Sequence, residues 1–247
     1  VPDWGTGETP VLLWRMNPLW SELAANAACS LDESQHAQLA RYLDLLLEAN
    51  QVMNLTRIED RTQAEVLHVG DALTLLPFLP REAHKLVDVG SGGGVPGIPL
   101  AIARPDAQVL LAESTQKKAA FLKRCVETLN LANVQVSSER AEVIGQGPLR
   151  ETFDIATARA VGAMNMLVEW CLPLVRKGGK LLAMKGAKIA EELPAARRAI
   201  NLLGGAQPVV HPITLPGTEN HVIVEIPKIG RTNPKYPRSP SQAKKPL

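Results

Sequence analysis

Apolar positions along the chain follow two regimes that change near residue 81. Before it they recur with a helical period: Leu39, Leu43, Leu46 and Leu47 stand at i, i+4, i+7 and i+8, the stripe of an amphipathic helix. Ser30 and Glu33 have capping-box spacing just ahead of that stripe. A second stripe, Val66, Val69, Leu73 and Leu76, follows a candidate cap at Thr56 with Glu59 and stops at Pro77 and Pro80. Residues 1–29, with Trp4, Trp14, Trp20, Pro10 and Pro18, show no sustained period and receive no assignment.

Beyond residue 81, short apolar runs alternate with helical stretches. Runs at 85–89, 109–112, 134–136, 153–156 and 180–184 predict strands. The clearest helix between them is 115–130, where Leu122, Cys125, Val126 and Leu129 share a face. This alternation predicts a parallel sheet with right-handed crossovers. Two further extended runs, 207–214 and 221–226, are joined by the six residues 215–220, too short a link for a crossover helix, and so predict an antiparallel hairpin. The expected architecture is α/β: a mostly parallel seven-stranded sheet with a terminal antiparallel hairpin. Its parts are a helical N-terminal part at 30–80, a core at 81–228 and a tail at 229–247.

Composition adds two constraints. Aromatics are 4% of 247 residues against 45% hydrophobic, so the core is built from Leu, Val, Ile and Ala, which suits helices packed on a sheet. Cys29, Cys125 and Cys171 form neither a CxxC pair nor a zinc pattern, and neither disulfides nor a metal is expected. No apolar run reaches the ~18 residues of a membrane helix, and Asp3 and Glu8 stand where a signal peptide carries positive charge. A cytoplasmic protein without a membrane partner is expected.

The net charge of +2 hides an asymmetry. Lys228, Arg231, Lys235, Arg238, Lys244 and Lys245, with no acid among them, make residues 228–247 +6 and leave −4 for the rest. With Pro234, Pro237, Pro240 and Pro246 and few apolar residues, this tail is expected to be extended or disordered when free. It serves either as a solubilising tail or as an arm that contacts the phosphates of a polyanion.

The strongest local signal is Asp88-Val-Gly-Ser-Gly-Gly-Gly-Val-Pro-Gly-Ile-Pro99, placed after a strand and before a helix. Glycines let the backbone approach a ligand closely, and the helix start offers free N–H groups. Gly92-x-Gly94-x-x-Gly97 satisfies the dinucleotide fingerprint, while Gly90-x-Gly92-x-Gly94 resembles methyltransferase motif I. Glu113, about 20 residues on, ends the next strand, where an acid accepts from both ribose hydroxyls of an adenosine. NAD and S-adenosylmethionine (SAM) proteins share that acid. The Asp88 carboxylate, suited to a cationic amino-acid ligand, the second glycine register and the terminal hairpin favour SAM.

The methyl acceptor leaves its own traces. No Asn/Asp-Pro-Pro-aromatic tetrapeptide follows the fourth strand, which runs into Ala158-Arg159-Ala160-Val161, and Cys171 sits in a helical run rather than as a nucleophile. An acceptor with a lone pair and no proton to lose, such as a purine N7, is compatible.

The chain resembles the RsmG (GidB) family, bacterial methyltransferases acting on N7 of a guanosine in 16S (small-subunit) ribosomal RNA. The match is carried by Asn54-Leu-Thr56, His68 with Asp71, Asp88 to Pro99, Arg140-Ala-Glu142, Arg159-Ala160, Met184-Lys-Gly186, Lys235-Tyr-Pro-Arg238 and Ala243-Lys-Lys-Pro-Leu247. The resemblance implies a Rossmann-like class I methyltransferase fold. It places SAM contacts at Asp88, Gly90, Ser91, Gly92 and Val95, at Glu113, Ser114 and Thr115, at Ala141 and Glu142, and at Arg159. Arg159 and Lys185, at the open edge of the sheet, are the candidates to face the acceptor or an RNA phosphate. Arg140, Lys185, Arg231, Lys235, Arg238, Lys244 and Lys245 are the candidate RNA contacts. The implied partner is small-subunit rRNA or an assembling 30S particle, met by a monomer. Two positions depart from the family pattern: Glu113 where Asp is usual, and Asn220-His221 where Arg-His is usual. Removing residues 229–247 is expected to spare SAM binding and weaken RNA binding.

Other candidates keep two readings. His68 and Asp71 form either a catalytic pair or an i,i+3 hydrogen-bonded surface or inter-helix contact. Asn54 and Thr56 suit a helix cap. Lys117, Lys118, Lys123 and Arg124 form an RNA face or, with Glu127, a solvated helix face. The rival functions are a small-molecule methyltransferase, a nicotinamide oxidoreductase or a non-catalytic RNA-binding protein.

Overall fold

The computed structural model describes residues 16–243 and 246–247; Trp4, Trp14, Lys244 and Lys245 lie outside them. Seven strands form one sheet in the order β3-β2-β1-β4-β5-β7-β6. β1 (Lys85–Val89), β2 (Gln108–Ala112), β3 (Val134–Ser137), β4 (Phe153–Arg159) and β5 (Val175–Lys185) run parallel. β6 (Val209–Pro212) and β7 (Val222–Pro227) form the antiparallel hairpin, with β7 seated between β5 and β6. The strand order reverses between β1 and β4, and it is outside the carboxyl ends of strands at such a switch point that open α/β sheets bind ligands.

Side chains that alternate along the strands feed two cores, one on each face. Leu86, Val109 and Leu111 join the helices α2 (Glu33–Met53), α5 (Gly97–Ala103) and α6 (Gln116–Thr128). Val87, Val89, Leu110 and Ala112 join α7 (Ala141–Gln146), α8 (Met164–Cys171) and α9 (Ile189–Leu202). The strand with the longest extension beyond its expected bounds, β5, continues back through Gly178 and Gly179, which interrupt the apolar run. β4 extends to Arg159 and so carries that residue on the strand itself.

Both expected helix caps shift. Asp32 accepts from the Gln35 N–H at 2.8 Å, and Gln35 returns an acceptor to the Asp32 N–H at 2.9 Å; this capping box, two residues after Ser30, opens α2. Ser30-x-x-Glu33 and Asp32-x-x-Gln35 have the same spacing, and the acid is the one at the helix start. Likewise Asp60, accepting from Gln63 N–H at 2.8 Å, caps α3 (Arg61–Ala64) in place of Thr56. The chain then passes through a π-helical stretch (Glu65–Gly70) into α4 (Asp71–Leu73). In the unassigned region, α1 (Pro18–Asn26) is capped by Asn17 and buries Trp20; nine residues are too few to display a sustained period.

Among the described residues, the tail is not a free arm. Thr232, Tyr236 and Ala243 are buried. The Arg150 guanidinium donates to the carbonyls of Thr232, Asn233 and Tyr236, and Arg238 pairs with Glu169 at 2.6 Å. Composition counted the cations of this segment but not the acids waiting for them: Glu169 is 1% exposed, and a buried carboxylate requires hydrogen-bonded partners.

Candidate active site

The glycine turn leaves β1 at Val89 and enters α5. Gly90 has φ +70°, and a Cβ there would lie 2.8 Å from both methyls of Val161, so only glycine lets the chain turn past that side chain. Gly97 opens α5 against the sheet, where a Cβ would overlap Leu111 and stand 2.9 Å from Asp88 Oδ2.

Asp88 lies beneath the turn instead of facing a ligand. Its Oδ2 accepts from Gly97 N–H at 3.2 Å and its Oδ1 from the Thr157 hydroxyl at 2.9 Å. Full burial pushes its carboxyl up to about 6, against the hydrogen bond from Thr157. Both oxygens brace the loop. Ser91, also buried, donates its hydroxyl to the Asp88 carbonyl at 2.9 Å.

Glu113, at the end of β2, spans the neighbouring gap. Its Oε2 accepts from Gly92 N–H at 3.0 Å and its Oε1 from Thr115 N–H at 2.7 Å. Each carboxylate oxygen has two lone pairs, so the group ties turn to strand and retains acceptor capacity. From α2, Tyr42 donates to the Gly93 carbonyl at 2.8 Å; nothing in the sequence beyond its place in the helical stripe marks this residue.

Beside these contacts lies a slot of about 100 Å³. Val89, Gly90, Ala112 and Val161 form its apolar sides, Ser114 and Trp170 also line it, and Arg140, Ala141 and Glu142 close it from α7 and the residue before it. Arg140 pairs with Glu142 at 3.1 Å while its own side chain stays half exposed. The structure thus gathers Gly90, Ser114, Ala141 and Glu142 around one space, with Gly92 and Thr115 both bonded to Glu113 alongside. Val95 is set apart, packed into the core shared with α2. Trp170, which no motif singled out, is a wall of the slot.

The residues around the slot have the chemistry that an adenosyl group requires. A cradle that a Cβ at Gly90 would fill, apolar sides for a flat base and an acid tied to the turn are the features a nucleoside needs.

The two candidates for the acceptor side are more enclosed than expected. Arg159 ends β4 with its Nη1 3.4 Å from Asp71 Oδ2, and His221 Nδ1 stands 3.6 Å from Asp71 Oδ1. His68 does not bond Asp71; its Nε2 meets the Thr56 hydroxyl at 3.0 Å. Burial pushes the His68 imidazole down to about 4, and burial raises the Asp71 carboxyl against the pull of Arg159 and His221. The sequence paired the wrong neighbours because Asp71 finds its partners on β4 and just before β7, far along the chain. Lys185 pairs with Glu192 at 2.6 Å and donates to the Gly162 carbonyl at 2.8 Å; it ties the loop after β4 to α9 and does not open toward an RNA phosphate. Arg238 likewise pairs with an acid of the protein, Glu169. Arg231 and Lys235 remain exposed, Lys235 lying over the Tyr236 ring.

Comparison with known proteins supplies relatives. The family model of GidB, rRNA small subunit methyltransferase G, matches residues 35–222. A ribosomal RNA small subunit methyltransferase G from Chloroflexus aggregans is 41% identical over 235 residues, covering 95% of this chain and 96% of that protein. Its counterpart from a Roseiflexus species is 44% identical over 210 residues, covering 85% and 90%. Among solved structures, a SAM dependent methyltransferase from Aquifex aeolicus superposes with a TM-score of 0.51 at 15% identity, over 66% of this chain and 92% of that one; the two share a fold.

Proposed function

Since the chain belongs to the GidB family of small-subunit rRNA methyltransferases, we propose that it transfers a methyl group from SAM to N7 of a guanosine in 16S rRNA, using the slot beside the glycine turn. The observation that carries this use of the slot is Glu113 tied to Gly92 next to a space walled by Gly90, Ser114 and Ala141.

When bound, SAM supplies an electrophilic methyl group on a sulfonium. The turn from Gly90 to Gly94 and the Glu113 carboxylate hold and orient the adenosyl part, and Val89, Ala112 and Val161 exclude water from its base. Alignment of this kind is the main contribution a protein makes to an in-line displacement. Guanine N7 attacks with a lone pair and surrenders no proton, so no general base is required. Asp88 and Glu113 at the turn are committed to backbone N–H donors of the protein, and Asp71 to the Arg159 cation. Arg159, fixed by Asp71 at the end of β4, sets the local field on the acceptor side.

We assign residues 81–228 as the catalytic core and 30–80 as a helical layer over one side of it. The enzyme acts as a cytoplasmic monomer, its compartment being that of its ribosomal substrate. Among the described residues no helix is long and apolar enough to cross a membrane. We propose Arg140, Arg231 and Lys235 as contacts to RNA phosphates.

Calorimetry with S-adenosylhomocysteine and with NADH tests the pocket: binding of the first alone is expected. Mass spectrometry of small-subunit rRNA from a strain lacking the gene tests the reaction. The wild-type gene should restore one methyl group on guanine and Gly90→Asp should not; restoration by the variant would refute the slot. Supplying naked RNA and assembling 30S particles in parallel identifies which one is methylated.

A further inference from the structure

Two short helices wall the slot on one side. α7 contributes Ala141 and Glu142, and α8 contributes Trp170. They have six and eight residues, and neither has a side-chain cap at its start. Helices of this length depend on tertiary contacts for their shape; α8 packs on α9, β4 and β5, with Glu192 accepting from the Met164 N–H at 2.7 Å, and the C-terminal segment adds contacts to both helices.

Gln146, ending α7, donates to the carbonyls of Pro234 at 3.2 Å and Pro237 at 2.7 Å. The Pro237 ring lies so near Gly145 that a Cβ there would approach it to 3.0 Å. Arg150 then binds Gly145 and the segment together, donating to the Gly145 carbonyl as well as to those of Thr232 and Tyr236. On α8, Glu169 accepts from Arg238 Nε at 2.9 and 3.2 Å, from Nη2 at 2.6 Å and from the Arg238 N–H at 2.9 Å. A bidentate guanidinium pair fixes direction as well as distance. The residue after Glu169 is Trp170, so the pair sets the rotation of α8 and with it the position of the slot wall.

We propose that residues 229–243 form a strap that sets the adenosine slot, with Arg238 a positioning residue acting through Glu169. The proposal rests on the reading of the slot as the SAM site, and it reverses the expectation that the tail is dispensable for SAM.

The test is calorimetry with S-adenosylhomocysteine on the full chain and its Arg238→Ala, Arg238→Lys and Gln146→Ala variants, with RNA affinity and steady-state kinetics measured beside it. Arg238→Ala should weaken S-adenosylhomocysteine about tenfold and raise KM for SAM, with kcat at saturating SAM and RNA affinity within about twofold of wild type. Arg238→Lys should recover part of the loss, since an ammonium cannot form the two-pronged pair. Gln146→Ala, which leaves no buried charge behind, should weaken binding about threefold. Wild-type S-adenosylhomocysteine affinity in both Arg238→Ala and Gln146→Ala would overturn the strap; should Arg238→Ala not fold, wild-type affinity in Gln146→Ala alone would do so. Loss of RNA affinity with a changed salt slope and intact S-adenosylhomocysteine binding would reinstate a phosphate-contacting arm. Failure of the wild-type chain itself to bind S-adenosylhomocysteine would remove the SAM site on which the strap depends.

Discussion

The Arg159 guanidinium stands 3.4 Å from the Asp71 carboxylate, joining the end of β4 to the helical layer. Asp71 is almost fully buried and Arg159 largely so, with side-chain exposures of 2% and 19%. The carboxylate also faces His221, which precedes β7. Three separate stretches of chain therefore meet at one charge.

Asp71→Asn tests this junction. It leaves the Arg159 cation part-buried without its counter-charge, and removing one partner of a buried pair costs about 3 kcal/mol. Urea unfolding at neutral pH should show that loss; a midpoint equal to wild type would mean that the pair contributes nothing.

The acid beneath the turn gives a pH signature. Burial lifts Asp88 from 3.8 to about 6 in the folded chain, so folding favours its protonated form. Its contribution is complete below pH 3.8 and is lost as pH rises through 6, by at most about 3 kcal/mol. Asp88→Asn, which can still accept from Gly97 N–H and donate to Thr157, removes this titration. The stability of wild type relative to the variant should therefore fall between pH 4 and 6 and stay level above; a difference independent of pH would contradict the burial argument.

Glu113 makes a sharper test of the pocket. A carboxamide can accept only one of the two N–H groups now held, and it points its own NH₂ at the other. Glu113→Gln should weaken S-adenosylhomocysteine by at least about tenfold, since a buried donor is left facing a donor. Calorimetry showing wild-type affinity would remove Glu113 from the site.

Where the sequence was legible, a local rule coincided with a tertiary demand. Each parallel strand is an apolar run because both faces of the sheet are covered, and the glycine turn announces itself because Gly90 has no room for a Cβ. Where it misled, the deciding partner was distant. Ser30 was the expected cap, but the helix starts two residues later and Asp32 takes the role. His68 and Asp71 looked paired at i,i+3, but one turns to Thr56 and the other to Arg159. The cations of the tail suggested solvent or phosphate because Glu169, an acid in an otherwise apolar stretch, gave no local sign of the arginine it needed. Lys185 sits where the motif placed it, yet Glu192, seven residues on, has taken its charge.

Tyr42 reaches from the helical layer to hold the Gly93 carbonyl inside the glycine turn. The layer is consequently not a detachable module. A chimera that grafts residues 81–228 onto a foreign set of helices would keep every strand and every glycine, yet its turn would lack a donor that only the native layer supplies. Any exchange of this layer has to carry the tyrosine, or an equivalent hydroxyl, across the seam.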